Sequence, residues 1–186
     1  MTFFTKPQNI CGMQVSVQSR TNPTTQPVVA NLNDKKLLPE QITKRKTLKT
    51  LIVEDNSTDR ELLELQLKNR VAKSKGFNFA ITSVSNSTEA IDAATKASQN
   101  GGLDLVLMDI RIPGGMNGVE VAREIHAMLP NTPVLFVSAS DIGQIRLDLE
   151  KTVDSLSLEL LKNTLRKPVD KPELLLSAIE RLCPSE

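Results

Sequence analysis

The sequence predicts an α/β protein built on a parallel sheet with helices on both faces. Short runs rich in Val, Ile and Leu alternate with segments of helical periodicity, five times over between Thr47 and Leu182. The strand-like runs are apolar almost throughout rather than at every second position, as in strands covered on both sides. Cap and turn residues punctuate the junctions.

The elements follow in order. "TLKTLIV" (47–53) reads as a buried strand. In "NSTDRELLELQLKNRV", Ser57 and Thr58 are N-cap candidates, with Glu61 placed for a capping box and Leu63, Leu67 and Val71 on one helical face. "FAITSVS" (79–85) is a second strand, and the Ala-rich "STEAIDAATKASQ" is a helix stopped by Gly101-Gly102. "LDLVLM" (103–108) is the third strand. The helix "GVEVAREIHAML" sets Val119, Ala122, Ile125 and Leu129 on one face and is closed by Pro130. "PVLFVSA" (133–139) is the fourth strand. A long stretch, 141–162, carries Ile142, Ile145, Leu149, Val153, Leu156 and Leu160 at helical spacing, which predicts a long fourth helix. "TLRKP" (164–168) is a short fifth strand, and Pro172 opens the last helix, "PELLLSAIERL", at a position where proline is tolerated.

Residues 1–46 differ in texture. They hold Pro7, Pro23, Pro27 and Pro39 among Thr, Gln and Asn, without sustained periodicity, and end in the basic "KRKTLK" linker. Such a segment buries too little apolar surface to offset its ordering entropy. The expected division is a disordered basic extension, 1–46, and one domain, 47–186. Residues 1–49 carry 8 Lys/Arg and 2 Asp/Glu, a charge of +6, while the remainder has 15 basic and 20 acidic residues, −5. The arm reads as a solvated tail or as a contact for nucleic acid or anionic membrane.

Hydrophobic content of 39% and charged content of 24% suit a soluble globular chain, and aromatics at 3% require an aliphatic core. No apolar run approaches the roughly 20 residues of a membrane span. The start has no basic region leading into an apolar one, so no secretory signal is read. Cys11 and Cys183 lie near opposite ends without metal or redox spacing, and reduced thiols in a cytoplasmic protein are the expectation.

In a parallel α/β sheet, ligands bind beyond the carboxyl ends of the strands. There the sequence places Glu54-Asp55 after the first strand, Asp109 after the third, Ser138 at the fourth and Lys167 near the fifth. A carboxylate at a strand end is ordinarily a solvated boundary; the joint placement of all five is the signal. Clustered carboxylates raise a pKa or demand a cation, and all-oxygen ligands suit Mg²⁺. A carboxylate nucleophile forms an acyl phosphate when the phosphoryl oxygens are neutralised, for which Mg²⁺, Lys167 and the Ser138 hydroxyl are suited.

The acidic pair in "LIVEDN", Asp109 in "LVLMDIRIPGGMNG", the hydroxyl in "PVLFVSAS" and the lysine in "LRKPV" resemble the receiver domain of two-component response regulators, over about 47–183. The resemblance implies a flavodoxin-like fold with strand order 2-1-3-4-5. It implies that Asp109 accepts a phosphoryl group from a sensor histidine kinase or a histidine phosphotransfer protein. It further implies Mg²⁺ (or Mn²⁺) on Asp55, Asp109 and the backbone carbonyl of Arg111, with Glu54 acting through water. Lys167 would contact the phosphoryl group and Ser138, followed by Ala139, would move toward it. The domain is then a phosphoacceptor and not an enzyme in the ordinary sense.

The sequence departs from the family pattern in the Pro113–Gly118 loop, which holds one extra residue. It departs again at Thr164, which stands where a switch aromatic is usual. The interval from Ser138 to Lys167, 29 positions, is longer than usual by about seven residues, or roughly two helical turns. The expected fourth helix is therefore long, with Leu156 and Leu160 projecting past the sheet edge and the phosphorylation signal carried by that helix instead of a ring. Its stripe reads as packing on the sheet, or as a partner or homodimer face with the fifth strand and fifth helix.

His126, the single histidine, reads as a boundary residue of a helix. An aspartyl-phosphate hydrolase needs an acid two positions after its nucleophile, where Arg111 stands. A phosphorylation-independent interaction module of the same fold is the alternative. No DNA-binding output module is read after Leu182 or before Thr47, so a stand-alone receiver acting on a downstream protein is expected.

Overall fold

The computed structural model describes residues 46–71, 77–152 and 154–184. The basic extension up to Arg45, together with Cys11 and Val153, lies outside them.

Five strands form one parallel sheet: β1 (Lys46–Val53), β2 (Phe77–Val84), β3 (Leu105–Met108), β4 (Val134–Ser138) and β5 (Thr164–Arg166). Their order is β2-β1-β3-β4-β5, as the resemblance implies. The helices are α1 (Ser57–Gln66), α2 (Ser87–Gln99), α3 (Gly118–Met128), α4 (Ile142–Thr152), α5 (Ser155–Leu160) and α6 (Pro172–Leu182). A π-helical segment, Leu67–Val71, extends α1.

The sheet is covered on both faces. Leu48, Ile52, Leu107 and Leu135 pack with Leu63, Leu67, Leu175 and Ile179 on one side. Leu51, Val106, Met108 and Phe136 pack with Ala90, Ala94, Ala122 and Ile125 on the other. Aliphatic side chains dominate, and each fully buried one, such as Ile125, contributes about 1.5–3 kcal/mol by leaving water. Small alanines on α2 let that helix approach closely. The register aligns Val53 with Met108 and Met108 with Phe136, so the strands deliver their next residues to one edge.

Two expectations are corrected. The cap of α1 is Asn56, whose side chain accepts from the Thr58 and Asp59 amides at 2.9 and 3.1 Å, so Ser57 is already helical. Three adjacent residues can all cap; the extended backbone at Asn56 makes it the one outside the helix.

The second correction concerns 141–162, which is two helices rather than one long one. The Asp154 carboxylate accepts from the Ser157 amide at 3.1 Å and the Ser157 hydroxyl at 2.7 Å, starting α5 afresh. Ser157 and Leu161 are fully buried, so this short second helix and the turn after it cover the sheet. Leu160 is half-buried against the core and does not project; Leu156 is exposed. No described residue of α4 is fully buried. A cleft of about 890 Å³ separates α4 from the α3 side, with Ile112, Val119, Ile145 and Leu149 among its walls.

Candidate functional site

Asp109 follows β3 and is held by its backbone: its amide donates to the Val53 carbonyl at 2.9 Å. The chain returns close behind it at Gly118, whose amide donates to the Ile110 carbonyl at 2.8 Å. A Cβ at Gly118 would stand 1.9 Å from the Asp109 carbonyl oxygen, so only glycine fits this crossing.

The Asp109 side chain is buried and fully engaged. Its Oδ1 accepts from the Ser138 hydroxyl at 2.5 Å and from the Arg111 amide at 3.2 Å, and its Oδ2 accepts from Lys167 Nζ at 2.7 Å. Lys167 is placed by β4, since its amide donates to the Ser138 carbonyl at 3.0 Å; the Lys167–Pro168 peptide is cis. The Lys167 ammonium also meets Glu54 Oε2 at 2.6 Å and Asp59 Oδ2 at 3.0 Å.

The electrostatics follow from this geometry. Burial pushes the Asp109 carboxyl up, but Lys167, Ser138 and the Arg111 amide together hold it below its ordinary value. Asp109 is therefore an anion in a largely dry setting. Glu54 behaves oppositely: burial raises it, and Lys167 opposes that without cancelling it. Burial alone would lower the Lys167 ammonium; the carboxylates of Asp109, Glu54 and Asp59 raise it well above the usual lysine value.

Carboxylate oxygens of Glu54, Asp55 and Asp109 lie within 4.8 Å of one another, with Asp55 exposed and the other two buried. Lys167 pairs with three carboxylates, Glu54, Asp59 and Asp109, and Asp55 stands beside them, which leaves negative charge uncompensated. An all-oxygen, anionic donor set with one solvent-facing member fits a hard divalent cation.

All five residues read from the strand ends converge here, and Arg111 joins them through its amide. Ala139 is exposed beside Ser138. Thr164 is half-buried on β5, and its hydroxyl donates to the Leu161 carbonyl at 2.8 Å, at the end of α5. Sequence reasoning missed Asp59 and Arg60. Arg60 Nη1 donates to the Glu54 carbonyl at 2.6 Å and approaches the Asp55 carbonyl at 3.4 Å, bracing the acidic pair from α1. The available signal was spacing, since Asp59 lies one helical turn after Asp55.

The family model for the response regulator receiver domain matches residues 50–179. An uncharacterized transcriptional regulatory protein of Bacillus subtilis, YkoG, is 35% identical over 91 residues, covering 49% of this chain and 35% of that protein. The cell cycle transcriptional regulator CtrA of Caulobacter vibrioides is 31% identical over 93 residues, 50% of this chain and 35% of its own length. The chain thus spans about a third of the length of these curated relatives. Among solved structures, the signal receiver domain of a modulated diguanylate cyclase from Desulfovibrio desulfuricans matches with a TM-score of 0.52 and 26% identity, covering 74% of this chain and 94% of that one. A chain of the CheX–CheY–BeF3–Mg²⁺ complex from Borrelia burgdorferi shares the fold, with a TM-score of 0.55, 24% identity and coverage of 73% and 88%.

Proposed function

This chain belongs to the response regulator receiver domains of two-component systems, and on that premise we propose that Asp109 accepts a phosphoryl group from a phosphohistidine. Domains of this family signal; they are not enzymes in the ordinary sense. The observation that carries the proposal is the Asp109 carboxylate itself: buried, kept anionic, and touched by both Lys167 and Ser138. In the transfer, an Asp109 oxygen attacks phosphorus. The bond from phosphorus to the donor's imidazole nitrogen breaks, and its electron pair returns to that nitrogen. Lys167 and the Ser138 hydroxyl donate to the transferred oxygens.

Asp55 and Asp109, with the Arg111 carbonyl, would hold Mg²⁺ (or Mn²⁺), and Glu54 would act through water. When bound, the ion would neutralise charge on the phosphoryl oxygens. The donor would be a sensor histidine kinase or a histidine phosphotransfer protein. A downstream protein, or a second copy of the chain, would meet the face of α4, β5 and α6. The phosphoacceptor unit is assigned to 47–186, because every convergent group lies between Glu54 and Lys167.

Incubation with acetyl phosphate and Mg²⁺, followed by phosphate-affinity electrophoresis, tests this. A shifted band should form, survive acid and vanish in base, and Asp109→Asn should abolish it while the circular dichroism is retained. Undiminished labelling of that variant overturns the assignment. A wild-type chain that never labels favours the phosphorylation-independent module instead.

A further inference from the structure

An ammonium has three N–H groups, and Lys167 is ringed by three carboxylates: it hydrogen-bonds Glu54 at 2.6 Å and Asp109 at 2.7 Å and ion-pairs with Asp59 at 3.0 Å. Asp59 stands against the side of the ammonium that these two bonds leave over. For Lys167 to contact a phosphoryl group on Asp109, one of these partners has to be released.

The three partners differ in how easily they leave. Glu54 is 1% exposed, so releasing it strands a charge away from water. Asp109 is the group being modified. Asp59 is 41% exposed, makes the longest contact, and lies in the first turn of α1, where the helix dipole favours a free carboxylate. Water and helix together compensate its departure.

We infer that Asp59 is a positioning residue that competes with the incoming phosphoryl group for Lys167, and so sets how firmly that group is held. The inference rests on Asp109 as the phosphoacceptor. Asp59 opposes the phosphoryl group in two ways: it stands in ion-pair contact with the Lys167 ammonium, and it adds negative charge beside an anion. Toward a divalent cation the same charge is attractive. Neutralising Asp59 therefore strengthens anion binding while leaving cation binding unchanged or weaker. A merely structural defect weakens both.

The test uses the full chain with fluoroberyllate as the phosphoryl mimic, titrated by ¹⁹F magnetic resonance in saturating Mg²⁺, and Mg²⁺ alone titrated by calorimetry. Asp59→Asn and Asp59→Ser should each bind fluoroberyllate at least about threefold more tightly than wild type, with Mg²⁺ affinity equal or lower. Asp59→Glu should restore wild-type behaviour. Equal or weaker fluoroberyllate binding in both neutral variants overturns the inference while leaving Asp109 assigned. Absence of fluoroberyllate binding in wild type overturns the phosphoacceptor reading and this inference with it.

Discussion

Arg123 Nη1 on α3 lies 3.1 Å from Oδ2 of Asp154, the residue that caps α5. One carboxylate thus starts a helix, bonds Ser157 and anchors the break in 141–162 to the neighbouring helix. Asp154→Ala removes all three contacts and should destabilise the domain by about 1–2 kcal/mol, chiefly through the lost cap. The Ser157 hydroxyl, then the Ser157 amide, hold the Asp154 carboxyl below its usual value. A depressed folded-state value means the contribution is complete above the unfolded value, about 4, and is lost as pH falls through the folded one. Urea denaturation of both proteins should show a stability gap at neutral pH that closes in acid.

Lys167→Met leaves Glu54 buried without its ion-pair partner and Asp109 without its closest cation. Stripping one partner from a buried pair costs about 3–5 kcal/mol. The loss should be largest without divalent ions, and millimolar Mg²⁺ should recover more stability in the variant than in wild type. Thermal melts with and without Mg²⁺ check this; equal Mg²⁺ shifts in both proteins contradict it.

Gly118→Ala drives a methyl into the Asp109 carbonyl, at 1.9 Å before any relaxation. Because the obstacle is backbone, relief requires moving the strand end itself. The expected loss is about 1–3 kcal/mol, with slower labelling of Asp109 by acetyl phosphate. Normal stability together with a normal labelling rate would show that the crossing is looser than it stands here.

Gln66 Nε2 donates to the Val169 carbonyl at 2.6 Å, tying α1 to the loop just after Lys167. Gln66→Leu leaves that carbonyl unpaired in a buried setting, which costs about 1–3 kcal/mol. Fluoroberyllate affinity should fall as well, since the loop follows directly on Lys167, the lysine proposed to contact the phosphoryl group. Unchanged stability in urea would contradict this.

A chain beginning at Arg45 should fold and accept phosphate at the rate of the full sequence. β1 starts at Lys46, and each convergent group described above lies downstream of it. Loss of folding or labelling on truncation moves the domain boundary upstream.

The sheet was legible because its strands are continuous apolar runs, and the site because a parallel sheet gathers strand ends. The break after Thr152 was not. Ile142, Ile145, Leu149 and Leu160 keep helical spacing across it and pack against the same core, so either one helix or two satisfies the pattern. Asp154 decides between them through side-chain bonds that periodicity does not register. Asp59 escaped for a related reason: its role arises from α1 lying beside Lys167, 108 positions away in the chain, as the 3.0 Å contact shows.

The division of 141–162 has a consequence for how such a chain can diversify. Leu161 and Ser157 seal the sheet, whereas none of the described side chains of α4 is fully buried. Substitutions along α4 are therefore weakly policed by the core. Arg146, whose Nη2 holds the Leu161 carbonyl at 3.0 Å, ties the helix to that seal. A segment tethered in this way, beside an open cleft, can drift in sequence and acquire new contacts while the edge that carries Glu54, Asp55 and Asp109 stays fixed. The most and least constrained stretches of this small domain therefore lie apart, at the cleft-side helix and at the acidic strand-end edge.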